Sequence, residues 1–172
     1  MVDNMKLGII SDSHDNLDMI KKAVKILNKE NIDFLIHCGD IISPFISSFF
    51  EGLNEKIKNG NFFGVFGNND GDLLYLTKRF EKICKISGYE AILELAGKKI
   101  YVSHGPDPLV IKSLAKSREF DIITTDHTLN YEIKRINNTL VINPGELCGY
   151  LTGKATFVIV DLEKMDARLI EI

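Results

Sequence analysis

Acidic, histidine and asparagine side chains stand directly after apolar segments at five places in the chain. These residues are Asp12 and His14, Asp40, Asn68 to Asp70, His104 and His127. Carboxylate oxygens, an amide carbonyl oxygen and imidazole nitrogens, with no thiolate among them, form the donor set of Mn, Fe, Zn or Ni sites. The Asp-x-His spacing lets Asp12 and His14 reach one ion, and the two oxygens of Asp40 allow it to bridge two ions. Metal binding is the chemistry that these residue types favour.

Taken one at a time, the same residues have simpler interpretations. A lone histidine after a strand is more often a hydrogen-bonded loop residue than a ligand. The run Asn68-Asn69-Asp70 beside a glycine is ordinarily a turn, because Asn and Asp side chains bond to their own backbone there. Five strand ends that all carry such residues are harder to explain, since open α/β sheets gather ligands at the carboxyl ends of their strands. The shared placement is what indicates a site.

Hydrophobic patterning predicts the elements that carry these residues. Strands are predicted over residues 6–11, 34–38 and 62–66, and helical spacing of apolar residues predicts a helix from Leu17 to Leu27 with Asp15 or Asn16 as its N-cap. Further helices are expected from near Pro44 and up to Phe80. The first half therefore alternates strand and helix.

The second half of the chain is richer in hairpins. The elements expected there are strands over 91–95 and 99–103, a helix over 108–117, strands over 121–125, 131–135 and 140–142, and a last hairpin around Glu163-Lys164. Alternation followed by hairpins predicts an α/β fold in which parallel strands come first and antiparallel strands later. Two mixed sheets with helices outside accommodate both halves.

Bulk composition sets the class of protein. The chain has 172 residues, of which 45% are hydrophobic and 26% charged, which predicts one globular domain over residues 1–172. The formal net charge of -3 gives no basic field for nucleic acid or an anionic membrane. Three cysteines without metal-type spacing favour a reducing compartment, and no segment is apolar enough to span a bilayer. We therefore expect a cytoplasmic protein.

In their order along the chain, the polar motifs resemble the calcineurin-like metallophosphoesterase superfamily. That family is marked by D-x-H, G-D, G-N-[HCN]-[DE], a lone H after a strand, and G-H-[TS]-H. The similar stretches here are Ser11-Asp12-Ser13-His14, His37-Cys38-Gly39-Asp40, Gly67-Asn68-Asn69-Asp70, Ser103-His104-Gly105 and Asp126-His127-Thr128-Leu129. The short chain and the Asn143-Pro144-Gly145 turn resemble the small archaeal and bacterial phosphodiesterase branch.

The resemblance implies a fold, an activity and a set of ligands. The fold is a four-layer α/β/β/α sandwich, and the activity is hydrolysis of phosphate diesters or activated phosphate esters by a hydroxide that two divalent ions activate. The implied ligands are Asp12, His14 and Asp40 for the first ion, and Asp40, Asn68, His104 and His127 for the second. Manganese, nickel, iron and zinc all stay open as the metals, and the implied partner is a small phosphate ester.

One departure from the family pattern concerns the last motif. Leu129 stands where the family has a second histidine that completes the first ion's ligands, and Asp126 stands where it has glycine. The first ion is then left with three protein ligands, and water or a substrate oxygen would fill the gap. Asp126 is expected to diverge from the site, because His127 is expected to point there and adjacent side chains on a strand point apart. The alternative is that Asp126 turns its carboxylate toward the site.

A second departure concerns acid catalysis. Asn69 occupies the catalytic position at which many members of the family carry a histidine that protonates the leaving group. An amide cannot transfer a proton, and loss of positioned acid catalysis costs on the order of 10²–10⁴-fold where the leaving group needs one. The resemblance therefore implies a preference for substrates with good leaving groups.

Two other functions stay open on the sequence. One is a non-catalytic interaction scaffold with a degenerate metal site, as in the retromer scaffold subunit of this superfamily, for which Leu129 and Asp126 are the evidence. The other is a metal-free phospho-acceptor or nucleotide-binding domain with an acidic pocket, which leaves both His104 and His127 unexplained. His37 is interpreted as a packing residue or as a support behind the ligands, and Cys38 as a core residue. The apolar run 44–50 faces either the core or a second copy in a homo-oligomer.

Overall fold

The strands follow closely the apolar segments of the sequence. In the computed structural model, which describes residues 5–126, 128 and 130–172, eleven strands are found. They are β1 (Lys6–Ile10), β2 (Phe34–His37), β3 (Phe62–Gly64), β4 (Lys85–Ile86), β5 (Glu90–Leu95), β6 (Lys98–Ser103), β7 (Ile122–Thr124), β8 (Glu132–Ile136), β9 (Thr139–Asn143), β10 (Thr156–Asp161) and β11 (Asp166–Glu171).

These strands form two mixed sheets. The first sheet has the order β11-β10-β1-β2-β3-β4, in which β1 to β4 pair in parallel and the C-terminal hairpin β10-β11 adds antiparallel to β1. The second sheet has the order β5-β6-β7-β9-β8, with a parallel centre of β6, β7 and β9 between antiparallel edge strands. The carboxyl ends of β1, β2 and β3 therefore lie at one edge of the first sheet.

Helices connect the parallel strands. They are α1 (Leu17–Lys29), α2 (Ser47–Phe50), α3 (Glu55–Lys58), α4 (Leu73–Phe80) and α5 (Pro108–Ser117), with a 3₁₀ turn over Pro44–Ile46. Asn16 caps α1, because its side chain accepts a hydrogen bond from the Met19 N–H at 3.3 Å. Pro108 lies in the first turn of α5 and Asp107 caps it, accepting from the Leu109 N–H at 2.7 Å. No helix of the described ranges is long and apolar enough to cross a bilayer.

Alternation of side chains along the strands produces four layers. Leu7 and Ile9 of β1 point into a cluster of buried residues between the two sheets, whereas Ile10 points to the other face, against α1 to α4. On the far side, Ala115 of α5 packs against Ile123 and other residues of the second sheet. The predicted α/β/β/α sandwich of two mixed sheets with outer helices is confirmed.

Three local features differ from the sequence expectation. The second half is not purely antiparallel, because α5 carries the chain back so that β7 pairs in parallel with β6, and β9 pairs in parallel with β7. The short elements β4 and α3 were not expected, since two and four residues are too few to give a periodic pattern. The run 44–50 begins as a 3₁₀ turn and contributes Ile46 and Phe50 to the core, while Phe45 is 66% exposed and packs on Tyr75.

Candidate metal centre

The described candidate ligands come from four strand ends in both sheets. Asp12 and His14 follow β1, Asp40 follows β2 and Asn68 follows β3 in the first sheet. His104 follows β6 in the second sheet, so residues of both sheets contribute to the site. The structure brings these five side chains together. The sixth candidate, His127, lies outside the described residues, as does Leu129.

The loops after β1 and β2 hold each other in an unusual backbone conformation. The φ angles of Asp12, His14 and Asp40 are 47°, 37° and 56°, a left-handed region that costs free energy for residues with a Cβ. Two backbone hydrogen bonds fix this geometry: Asp12 N–H donates to the Gly39 carbonyl at 3.0 Å, and His14 N–H donates to the Asp40 carbonyl at 3.2 Å. The surrounding fold therefore imposes the directions of the three side chains.

The first group of donors surrounds His14. Its Nε2 lies 3.1 Å from Asp12 Oδ1 and 3.3 Å from Asp40 Oδ2, and one donor atom from each of the three residues lies within 4.8 Å of the others. Asp12 and Asp40 are 1% exposed, so these carboxylates are held out of bulk water. Two buried carboxylates that face one imidazole form an oxygen and nitrogen pocket of the kind that transition-metal ions occupy.

The second group of donors surrounds His104. Its Nε2 lies 3.0 Å from Asn68 Oδ1 and 3.5 Å from Asp40 Oδ2. Its Nδ1 lies 3.0 Å from the Cys38 carbonyl, which can only accept, so Nδ1 carries a proton. In the neutral ring this leaves the Nε2 lone pair directed at the site, the tautomer that a metal ligand requires. Asp40 Oδ2 is the atom that both groups share.

The Asp40 carboxylate has two further donors, both from Asn69. The Asn69 N–H donates to Oδ1 at 2.8 Å and its side-chain amide donates to Oδ2 at 2.6 Å. Burial raises the pKa of Asp40, but the hydrogen bonds from His14 and Asn69 outweigh burial and hold this pKa well below its usual range. Asn69, the candidate at the catalytic position, thus lies against a candidate ligand at the site's edge.

Asp70 supports the site in a way that the sequence interpretation, a turn residue, did not show. Its carboxylate accepts from the backbone N–H groups of Asp40 at 3.1 Å, Ile42 at 2.7 Å and Gly67 at 2.8 Å. The side chain thereby joins the loop after β3 to the loop after β2. Burial raises the pKa of Asp70, only partly offset by these backbone donors. The sequence signal that could have indicated this role is the acidic residue at the end of the family's G-N motif, which is Asp70 here.

His37 is a packing and supporting residue, as predicted. It is fully buried, its Nδ1 accepts from the Gly39 N–H at 3.2 Å, and its Nε2 lies 3.0 Å from Ser13 Oγ. Burial lowers the pKa of His37 to about 3, so the ring is neutral at physiological pH. Its ring also packs edge-on against Phe50. Cys38 is likewise buried, with its Sγ 3.1 Å from Thr124 Oγ1.

Asp126 is buried beside the segment that carries His104. It is 3% exposed, and its carboxyl group lies close enough to Asp12 to help lower the pKa of that residue. Its N–H donates to the His104 carbonyl at 2.8 Å, which fixes the start of the last motif beside the second donor group. Burial raises the pKa of Asp12, but the hydrogen bond to His14 and the neighbouring Asp126 outweigh it and leave the pKa below its usual value.

A protonated His14 ring balances the charge of the two carboxylates in the first group. Hydrogen bonds to Asp12 and Asp40 raise the pKa of His14 to about 10, so the ring is an imidazolium between two carboxylates at neutral pH. A divalent metal ion can replace this proton and bind the same three atoms, which are Asp12 Oδ1, His14 Nε2 and Asp40 Oδ2. The donor set and its charge therefore fit a divalent metal.

We expect metal binding at this site to release a proton from His14. Because the pKa of His14 is about 10 in the metal-free protein, the ion must displace nearly one proton at pH 7.5. The apparent affinity should then rise about tenfold per pH unit between pH 7 and pH 9. Calorimetric titration with Mn²⁺ in buffers of different ionisation enthalpy counts the proton, and His14→Asn should release none. An affinity that is flat over this range would contradict the expectation.

Comparison with known proteins covers the part of the chain that contains these residues. The sequence model of the calcineurin-like phosphoesterase superfamily domain matches residues 5–165. A phosphodiesterase of Methanocaldococcus jannaschii is 39% identical over 166 residues, which cover 95% of this chain and 97% of that protein. Both alignments include every motif named above.

Solved structures give the same fold. A structure described as a novel archaeal phosphodiesterase superposes with a TM-score of 0.90 and 38% identity, covering 98% of this chain and 100% of the other. Vacuolar protein sorting 29 from Cryptosporidium parvum superposes with a TM-score of 0.67 over 98% of this chain and 97% of the other, at 16% identity. That second similarity concerns the fold alone.

Proposed function

The chain belongs to the calcineurin-like phosphoesterase superfamily, and on this premise we propose that it hydrolyses phosphate diesters in a metal-dependent reaction at the site centred on Asp40. The observation that carries the proposal is the position of Asp40 Oδ2, which lies 3.3 Å from His14 Nε2 and 3.5 Å from His104 Nε2. One carboxylate atom between two donor groups is the arrangement that a shared metal ligand needs.

We assign the ligands by these two groups. Asp12, His14 and Asp40 would hold one divalent ion, and Asp40, Asn68 and His104 would hold a second, together with His127. Such ions supply positive charge that lowers the pKa of bound water and neutralises phosphate oxygens. Mixed oxygen and nitrogen donors without thiolate suit manganese, nickel, iron and zinc, and we propose to test Mn²⁺ and Ni²⁺ first.

The chain's own residues would position the reacting groups. Both donor groups meet at Asp40 Oδ2, so we place the phosphate next to Asp40, where ions held by either group would neutralise its oxygens. The Asn69 side-chain amide donates to Asp40 Oδ2 at 2.6 Å, and an amide cannot transfer a proton to a leaving group. Diesters with good leaving groups are therefore the substrates that this site should hydrolyse fastest.

The test is metal-dependent hydrolysis of bis-p-nitrophenyl phosphate. Protein stripped with a chelator should be inactive, and addition of Mn²⁺ or Ni²⁺ should restore release of p-nitrophenolate. Mass spectrometry of the reloaded protein should find two ions per chain. One ion or none, without hydrolysis, would instead support the non-catalytic scaffold, and hydrolysis that resists the chelator would contradict the proposal.

Leu129 gives a second test, of the number of ligands. If Leu129 replaces a histidine that would complete the first ion's shell, Leu129→His should tighten the binding of one ion by about tenfold and raise activity at low metal concentration. At saturating metal the two proteins should differ little. Leu129→Phe, whose ring carries no ligand atom, is the matched control. Unchanged metal affinity in Leu129→His would argue that this position is not used.

Two coarser features accompany this proposal. We propose that residues 1–172 act as one domain, supported by a family match that spans residues 5–165. We also propose a cytoplasmic location, supported by three buried cysteines, none of them in a disulfide.

Burial raises the pKa of Cys148 to about 12, so this thiol beside the site is protonated and is not a thiolate ligand.

A further inference from the structure

Two cavities meet at the candidate metal centre. The first, of about 310 Å³, is lined by Asp12, Tyr150 and Leu151 among others, and we call it the Tyr150 cavity. The second, of about 620 Å³, is lined by His104, Tyr89 and Phe66 among others, and we call it the Tyr89 cavity. Asn68 lines both. Both cavities therefore reach the site at Asn68, one of the proposed ligands.

The wall of the Tyr150 cavity is exposed, apolar and firmly held. Tyr150 is 62% and Leu151 78% exposed, although both follow a buried stretch of chain. The Glu146 carboxylate accepts from the Leu151 N–H at 3.0 Å, which closes the loop on itself. The Cys148 N–H donates to the Asp12 carbonyl at 2.9 Å, so the loop is joined to the segment that carries a candidate ligand. The exposure of Tyr150 is built into the fold.

The wall of the Tyr89 cavity has the same character. Tyr89 is 59% exposed, and its ring packs edge-on against Phe66, with centroids 5.7 Å apart and planes at 61°. The Phe66 N–H donates to the Gly88 carbonyl at 2.8 Å, which fixes the two aromatic residues side by side. Phe66 lies two residues before Asn68, so this aromatic pair is positioned by the strand that also positions a candidate ligand.

The charged groups on these walls are already engaged. Glu146 accepts from its own loop, and Glu90 accepts from the Tyr101 hydroxyl at 2.5 Å. Away from the metal ligands, each cavity thus presents a tyrosine ring and apolar carbon to a bound molecule. A flat apolar group suits such a wall, because aromatic rings stack or meet edge-to-face with a tyrosine.

We propose that the two cavities bind the two organic groups of a phosphodiester, each against its own tyrosine, with the phosphate between them at Asn68. This inference rests on the proposed diester hydrolysis and names its substrate class: diesters that carry an aromatic or heteroaromatic ring on both sides. A monoester fills one cavity and leaves the other empty. Tyr89 and Tyr150 are then specificity-determining residues outside the metal ligands.

Direct binding tests the proposal without turnover. The probe is diphenyl phosphate, a diester with poor leaving groups, titrated by calorimetry into the metal-loaded protein, and dimethyl phosphate is the matched probe without rings. Tyr89→Ala and Tyr150→Ala should each weaken the binding of diphenyl phosphate about three- to tenfold, and the double variant should lose about the product of the two. Dimethyl phosphate should bind all of these proteins equally.

Controls separate the subsites from general damage. Tyr75→Ala removes a tyrosine that packs on Phe45 and lines neither cavity, and it should change nothing. Tyr89→Phe and Tyr150→Phe keep the rings and should retain binding. A loss that is equal for dimethyl phosphate, no loss for diphenyl phosphate, or a loss in only one of the two alanine variants would overturn the proposal.

The same proteins distinguish this inference from the proposed function. If the metal-loaded protein hydrolyses bis-p-nitrophenyl phosphate but neither tyrosine affects the binding of diphenyl phosphate, the subsites are wrong and the activity stands. If both tyrosines affect binding but no metal restores hydrolysis, the cavities are real subsites and the hydrolase assignment is wrong. Metal content is measured for every variant, and equal content is expected.

Discussion

Asp40→Asn is expected to lower the metal-dependent hydrolysis of bis-p-nitrophenyl phosphate by about 10³-fold or more. Asp40 Oδ2 is the atom that both donor groups share, so its loss weakens both proposed ion sites at once. An asparagine keeps the size of the side chain but removes its negative charge and one of its two acceptor atoms. The contribution of bound ions is several kcal/mol, and each 1.4 kcal/mol is about tenfold in rate.

A matched control lies at the other end of the same strand. Asp33 precedes β2, where its carboxylate accepts from the Lys6 N–H at 2.6 Å and pairs with Lys56, away from the candidate ligands. Asp33→Asn should keep its rate within about twofold and its full metal content, since exposed ion pairs contribute little. Metal content and rate should fall together in Asp40→Asn alone. Equal rates in Asp40→Asn and the unchanged protein would rule out the metal-dependent mechanism.

The sequence predicts the strand ends of the site well because they depend on local pattern. Asp12 and Asp40 each follow an apolar segment, and the edge of a parallel sheet brings such positions together whatever the order of the strands. Asn68 and His104 were candidates for the same reason, because they also follow predicted strands, and the resemblance then grouped them as ligands of the second ion. Five described candidates are brought together for this reason.

The rest of the site depends on contacts between distant segments, which leave little trace in local pattern. Asp70 resembles a turn residue until the loop after β2 is placed beside it, when three backbone N–H groups find their acceptor. Tyr150 and Leu151 were not predicted at all, because their loop is joined to the site only through hydrogen bonds to the segment after β1. The parallel pairing of β6 with β7 was missed since either pairing satisfies the same apolar pattern.

Two glycines explain why the G-D and G-N motifs each begin with that residue. A Cβ on Gly39 would lie 2.7 Å from the Gly67 nitrogen and 2.8 Å from its Cα, so the two backbones touch where β2 and β3 end. A Cβ on Gly67 would lie 2.1 Å from Asp40 Oδ1 and 2.4 Å from the Asp40 nitrogen. Close approach of the two backbones is thus what lets Asp70 and Asn69 reach Asp40.

Gly67→Ala is therefore expected to damage both stability and metal binding. The Asp40 nitrogen is backbone and cannot move away as a flexible side chain would, so the loops after β2 and β3 must separate. Such overpacking costs about 1–3 kcal/mol in the free energy of unfolding. The separation also disturbs Asp40 and the neighbouring Asn68. Calorimetric unfolding of the metal-free protein measures the first effect, and Mn²⁺ titration measures the second.

Gly71→Ala is the control for this prediction because it lies in the same segment. A Cβ there meets nothing within 4 Å, and its backbone does not require a positive φ. Its unfolding free energy should stay the same or rise slightly, by about 0.4–1 kcal/mol, since alanine restricts the unfolded chain. If Gly67→Ala and Gly71→Ala bound Mn²⁺ equally well, the contact between the two loops would not control Asp40. If only Gly67→Ala loses the ion, the spacing of these loops is what sets the geometry of the shared ligand.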